Sequence, residues 1–131
     1  VGLDPEFVTY LQDKQKKYSF ESEKAVVFAI NYGGRDEIIR GVKTFLDEHS
    51  LDELNEETLS KSLDFGELPP LDLVIRTKGN LARRTSGLMS WWIGYAELYF
   101  TDKKYPEFTV EEYQKALEWF NQVVEYRNFG K

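Results

Sequence analysis

The chain has 131 residues, 41% apolar and 31% charged, with a formal net charge of -6. That length supports one domain with a hydrophobic core, and the composition excludes a disordered chain. The acidic balance argues against general nucleic-acid binding, zero cysteines exclude disulfides and thiolate metal sites, and a single histidine, His49, excludes a histidine cluster for zinc.

The lack of cysteine points to the cytoplasm. No apolar run approaches the ~20 residues of a membrane span, so any membrane contact is expected to be peripheral. Val1-Gly2-Leu3 opens without methionine, signal-peptide pattern or tag, and reads as the start of a fragment or processed product.

In chain order, residues 5–17 predict a helix, with Asp4 as N-cap, Pro5 at the first helical position, and Phe7, Val8, Tyr10 and Leu11 on its apolar face. Residues 24–30 form a continuous apolar run that predicts a strand buried on both faces, as in a parallel sheet. Asn31 to Arg35 makes a glycine turn, in which Arg35 reads as capping or anchoring the turn, with contact to a phosphate as the alternative. A helix over 35–48 follows, with Ile38, Ile39, Val42, Phe45 and Leu46 on one side and His49 complementing its dipole. Residues 55–63 predict a short helix capped by Asn55, while Asp47 to Glu57 reads as a solvated acidic face.

Pro69-Pro70 sets up a strand over 71–75. Residues 88–93 predict a short helix, and 97–101 a further strand. The last helix is expected over 110–126, capped by Thr109, with Glu112 completing a capping box. Trp91, Trp92, Tyr95, Tyr99 and Phe100 read as core aromatics. Residues 1–131 thus read as a single α/β domain with a parallel sheet flanked by helices, whose ligands gather beyond the carboxyl ends of the strands.

One stretch carries chemistry. Arg76, Lys78, Arg83 and Arg84 fall within nine residues just past a predicted strand, interleaved with Thr77, Gly79, Thr85 and Ser86. Arginine forks supply charge and paired donors, hydroxyls add donors, and glycine lets backbone N–H groups approach a phosphate or diphosphate. Taken alone, the four cations also fit a solvated basic loop. Glu97 follows and offers a carboxylate for a divalent ion or for a salt bridge.

Ordered motifs extend along nearly the whole chain. Ala29-Ile30-Asn31-Tyr32-Gly33-Gly34-Arg35-Asp36-Glu37-Ile38, Asp72-Leu73-Val74-Ile75-Arg76-Thr77, Arg84-Thr85-Ser86, Trp91, Tyr95-Ala96-Glu97-Leu98-Tyr99-Phe100, Pro106 and Phe108 occur in this order. They resemble the C-terminal half of a cis-prenyltransferase of the undecaprenyl diphosphate synthase family. The resemblance implies condensation of isopentenyl diphosphate with an allylic diphosphate, with a new cis double bond at each addition. It implies that Arg76, Arg84, Thr85 and Ser86 bind substrate, holding the diphosphate of isopentenyl diphosphate, and that Glu97 helps bind magnesium. It further implies a homodimer and a long-chain product with loose membrane association. Lys78 and Arg83 are not claimed by the family pattern and read as surface charges.

The chain departs from that pattern in four places. Asn80 stands where the family usually has Glu, and the loop from Arg76 to Arg84 is longer than usual. Asn128-Phe129-Gly130 places asparagine where the family often has an arginine that completes the neighbouring site, with Arg127 beside it. The family's Asp-Gly-Asn-Gly-Arg-Trp motif, which binds magnesium and the allylic diphosphate, does not occur in these residues. The expectation is therefore half an active site, lacking the first strands of the sheet and inactive alone. The alternative is a non-catalytic partner subunit of a heteromeric enzyme, against which the retained Arg76, Arg84, Ser86 and Glu97 weigh.

Overall fold

The computed structural model describes residues 2–18, 24–79, 81 and 83–127. Asn80 and the Asn128-Phe129-Gly130 ending, singled out above, lie outside the described residues. The chain divides into two compact units, Val1–Tyr32 and Gly33–Lys131.

The first unit contains helix α1, Pro5–Tyr18. Asp4 caps it as its sequence predicts: Oδ1 accepts from the N–H groups of Glu6 at 2.8 Å and Phe7 at 3.3 Å. On its surface Phe7 and Tyr10 stack with ring centroids 6.5 Å apart, and Lys14 Nζ lies 5.1 Å from the Tyr10 centroid. The expected strand over 24–30 does not form. These residues carry no strand ladder and are exposed, Val26 at 82% and Phe28 at 81%. An apolar β-branched run becomes a buried strand only where neighbours supply ladder partners and cover both faces; the described residues supply neither.

The second unit is α/β. Helices α2 (Gly34–Glu48) and α3 (Glu56–Lys61) are followed by strands β1 (Leu73–Arg76) and β2 (Glu97–Phe100), then helix α4 (Val110–Val123). The two strands pair in parallel, with Leu73 opposite Glu97 and Arg76 opposite Phe100. Phe45, Leu59, Leu63, Val74 and Ala116 are its buried apolar side chains. Helix α4 covers β2 through Trp119, whose ring meets Tyr99 at 5.3 Å.

Local sequence sets the helix ends. Asn55 Oδ1 accepts from the Thr58 N–H and Thr58 Oγ1 accepts from the Asn55 N–H, each at 3.0 Å, a reciprocal capping box. Thr109 Oγ1 accepts from the Glu112 N–H at 3.5 Å, but the expected return bond from Glu112 is not made. Its carboxylate pairs with Lys115 at 2.5 Å instead, which holds it below the ordinary carboxylate range. His49 ends α2 as its C-cap and stacks on Phe45 at 5.0 Å.

The buried stripe of α2 differs from the apolar one expected. It runs Gly34, Glu37, Gly41 and Phe45, whereas Ile39 and Leu46 are exposed. Close backbone approach decides this, because a Cβ on Gly41 would overlap the Leu63 side chain. The expected helix at 88–93 is instead a series of turns ending in a single 3-10 turn, Ile93–Tyr95. Tyr95, read as core, is 72% exposed, while Trp91, Trp92, Tyr99 and Phe100 are half-buried.

Arg40 ties α2 to the chain beyond α3. It donates to both Asp64 oxygens at 2.7 Å and to Asp36 Oδ2 at 2.8 Å. Those bonds from Arg40 hold the Asp64 carboxyl below its ordinary 3.8. The pair therefore stabilises the fold fully above pH 3.8, and the contribution is lost as pH falls through the lower folded-state value. Asp64→Asn is expected to cost up to about 1 kcal/mol near neutral pH, solvent screening limiting the effect. The variant should also lose less stability than the parent between neutral pH and about pH 3, as urea unfolding at both would show.

Candidate functional site

Arg76 closes β1, half-buried beside Phe100 at the carboxyl end of the strand pair. The chain leaving β1 stays bound to the chain leaving β2. Thr101 N–H donates to Arg76 O at 3.0 Å, Gly79 N–H to Thr101 O at 2.8 Å, and Lys78 N–H to Lys103 O at 2.7 Å. Lys78 takes a left-handed conformation at φ 55°. Gly79 is buried where a Cβ would stand 2.6 Å from Phe100 Cδ1, so only glycine fits against that ring.

The loop returns to Arg76 at Ser86. Arg76 Nη2 donates to Ser86 Oγ at 3.1 Å. This is the direct contact that joins two of the four substrate-binding residues expected from the sequence. Thr85 is half-buried next to Ser86, and Arg84 is exposed two residues before it. Arg83, read as a surface charge, is indeed exposed, and its guanidinium lies 6.0 Å from the Phe100 ring centroid. Chemically, this edge offers guanidinium donors and two hydroxyls, groups suited to a small, highly charged anion.

Glu97 stands elsewhere. It opens β2 opposite Leu73, three register positions from Arg76, or about 10 Å along the strands at ~3.3 Å per residue. Its Oε1 lies 3.8 Å from Arg127 Nε. Arg127 is nearly buried and also donates to Asp72 Oδ1 at 2.7 Å and to Tyr95 O at 2.9 Å, with its guanidinium 5.8 Å from the Phe120 centroid. The structure thus brings Arg76 and Ser86 together and leaves Glu97 at the opposite edge. Among the described residues, no three His, Cys, Asp or Glu side chains converge as a metal site. Glu97 and Asp72 thus both face Arg127, which partly compensates the Glu97 carboxylate.

Sequence reading missed two supports of this arrangement. Trp92 Nε1 donates to the buried Glu37 at 3.1 Å, and Trp91 Nε1 to Ser60 Oγ at 2.8 Å. The signal for the first was present: Glu37 is spaced four residues from Gly41 and eight from Phe45, on one helix face.

Comparison with known proteins decides the family. The family model described as "Putative undecaprenyl diphosphate synthase" matches residues 2–130. The chain belongs to this family. It is 42% identical over 117 residues to an isoprenyl transferase of Treponema denticola, covering 89% of this chain and 50% of that protein. It is 38% identical over 123 residues to a Buchnera aphidicola ditrans,polycis-undecaprenyl-diphosphate synthase described as (2E,6E)-farnesyl-diphosphate specific, covering 89% of this chain and 48% of the relative. Among solved structures, a probable undecaprenyl diphosphate synthase from Campylobacter jejuni superposes with a TM-score of 0.77 at 34% identity, over 98% of this chain and 58% of that one. The chain therefore spans about half the length of the curated relatives it matches.

The Arg127 contacts carry a test of how the amino edge is held. Arg127→Met keeps the packing stem but removes the bonds to Asp72 and Tyr95 O. It is expected to cost about 2 kcal/mol, the scale of hydrogen bonds made by a charged group, measured by urea unfolding.

Proposed function

We propose that this chain supplies the isopentenyl diphosphate half of a cis-prenyltransferase site. The observation that carries the reading is the Arg76–Ser86 contact at the carboxyl end of a parallel strand pair. There the Arg76 guanidinium and Ser86 hydroxyl hold diphosphate oxygens, Arg84 adds a second cation, and Thr85 adds a hydroxyl. Family membership supports this assignment, since the family model matches residues 2–130, which contain all four side chains.

In the proposed reaction, the double bond of isopentenyl diphosphate attacks the first carbon of an allylic diphosphate. The carbon–oxygen bond breaks with its electron pair going to the departing diphosphate, and that diphosphate takes a proton from the isopentenyl unit as the cis double bond forms. Arg76, Arg84 and Ser86 hold the isopentenyl diphosphate so that its double bond faces the allylic carbon, an orienting role worth a large part of the barrier. The allylic diphosphate and the remaining catalytic groups are supplied from outside these residues.

Glu97 is proposed as one magnesium ligand. Its place at the amino edge means that the other donors come from outside the described residues, and a homodimer is the proposed source. When bound, magnesium neutralises charge on a departing diphosphate. The relatives' names imply a polyprenyl product; the same name for this chain's product is part of the proposal. No helix among the described residues is long and apolar enough to cross a membrane, so contact of a long product with lipid is proposed as peripheral.

Isothermal titration of isopentenyl diphosphate into the chain tests the reading. Arg76→Ala is expected to weaken binding by about ten- to a hundredfold, as loss of a charge-assisted donor pair does. Equal affinity in parent and variant would remove Arg76 from the site and favour a non-catalytic partner role. With labelled isopentenyl diphosphate, farnesyl diphosphate and magnesium, the chain alone is expected to form no prenyl product. Turnover by the isolated chain would show that these residues contain a complete site.

A further inference from the structure

The turn that carries Ser86 is conformationally costly. Ser86 at φ 53°, Gly87 at φ 76° and Met89 at φ 43° lie in the left-handed region, which side-chain-bearing residues adopt only where their surroundings hold them. What holds them is the front of α2. Gly34 N–H donates to Gly87 O at 3.0 Å, and a Cβ on Gly34 would stand 2.5 Å from that oxygen. One helical turn later, the fully buried Glu37 accepts from the Trp92 indole at 3.1 Å, while the Trp92 N–H donates to Met89 O at 2.8 Å. The turn is thus fastened to one helix twice, at Gly87 among its left-handed residues and at Trp92 beyond them.

Resting on the reading of Arg76 and Ser86 as a diphosphate site, we infer that Glu37 and Trp92 are positioning residues for it. Their hydrogen bond fixes the 86–89 turn so that Ser86 Oγ meets the Arg76 guanidinium before any anion arrives. Neither residue touches substrate. Their effect on binding passes through Ser86, and a site prepared in this way spends less binding energy on ordering its own loop. A carboxylate suits the Glu37 position because the helix front favours negative charge and the indole N–H requires a buried acceptor.

The test uses inorganic diphosphate and the whole chain. Trp92→Phe keeps the ring and removes the donor. It should weaken diphosphate binding about fivefold in the parent, and less than about twofold when Ser86 is already Ala, the mark of coupled residues. Glu37→Gln, which keeps an acceptor oxygen, should stay within about twofold of the parent. Equal loss from Trp92→Phe in both Ser86 backgrounds would show a merely structural role and overturn the inference. Binding lost in Arg76→Ala but intact in Trp92→Phe sinks this inference alone; binding intact in Arg76→Ala sinks it together with the proposed function.

Discussion

The parallel register of β1 and β2 is the constraint on which the rest of the arrangement depends. With Leu73 opposite Glu97 and Arg76 opposite Phe100, two functional candidates are sent to opposite edges of one strand pair. No side-chain rotation brings them together, because the separation is set by backbone rise. Parallel pairing also requires the long 77–96 connection between the strands, since a tight hairpin cannot join them. That connection is the segment that carries Arg83, Arg84, Thr85 and Ser86. The pairing that separates Glu97 from Arg76 therefore also creates the loop that delivers Ser86 to it.

A loop of this length gains definition only from what it leans on. Here the supports are glycine contacts and buried polar bonds rather than a large apolar core. Gly34 and Gly79 sit where a methyl group would collide with Gly87 O and with the Phe100 ring. Each lets backbone or ring approach more closely than an alanine would allow. The indoles of Trp91 and Trp92 then reach polar partners on α3 and α2. Aromatic side chains with a polar handle suit this task, burying a large face while satisfying one directional bond.

What could be read from the sequence followed the range of the forces involved. Helix caps at Asp4, Asn55 and Thr109 were legible because capping is settled within three or four residues. The strands at β1 and β2 were legible from short apolar runs between turn signals, and their parallel pairing from the α/β order. The segment 24–30 was misread because composition reports a preference for burial, whereas a strand requires a ladder partner. The 88–93 segment was misread for a different reason: positive φ at Ser86, Gly87 and Met89 is imposed by contacts with α2, and propensity carries no trace of it. Arg76 and Ser86 were legible as a pair only through ordered motifs, since nine intervening residues hide their contact from any local rule. The separation of Glu97 was not legible, because sequence proximity to the basic loop says nothing about which end of a strand a residue occupies.

Charge is sorted along the same axis. The chain is acidic overall at -6, which disfavours anions at long range, yet the carboxyl edge gathers Arg76, Arg83 and Arg84. At the amino edge, Asp72 and Glu97 surround Arg127, so the acids nearest the strands are already partly neutralised. Their remaining field must cross about 10 Å to reach the basic edge, roughly one Debye length at 0.1 M salt. At physiological ionic strength that field is weakened at the basic edge but not removed. Arg127 contributes to that separation twice, by holding the amino edge together and by offsetting its acids. The short strand pair thereby keeps a basic edge and an acidic edge within one small unit.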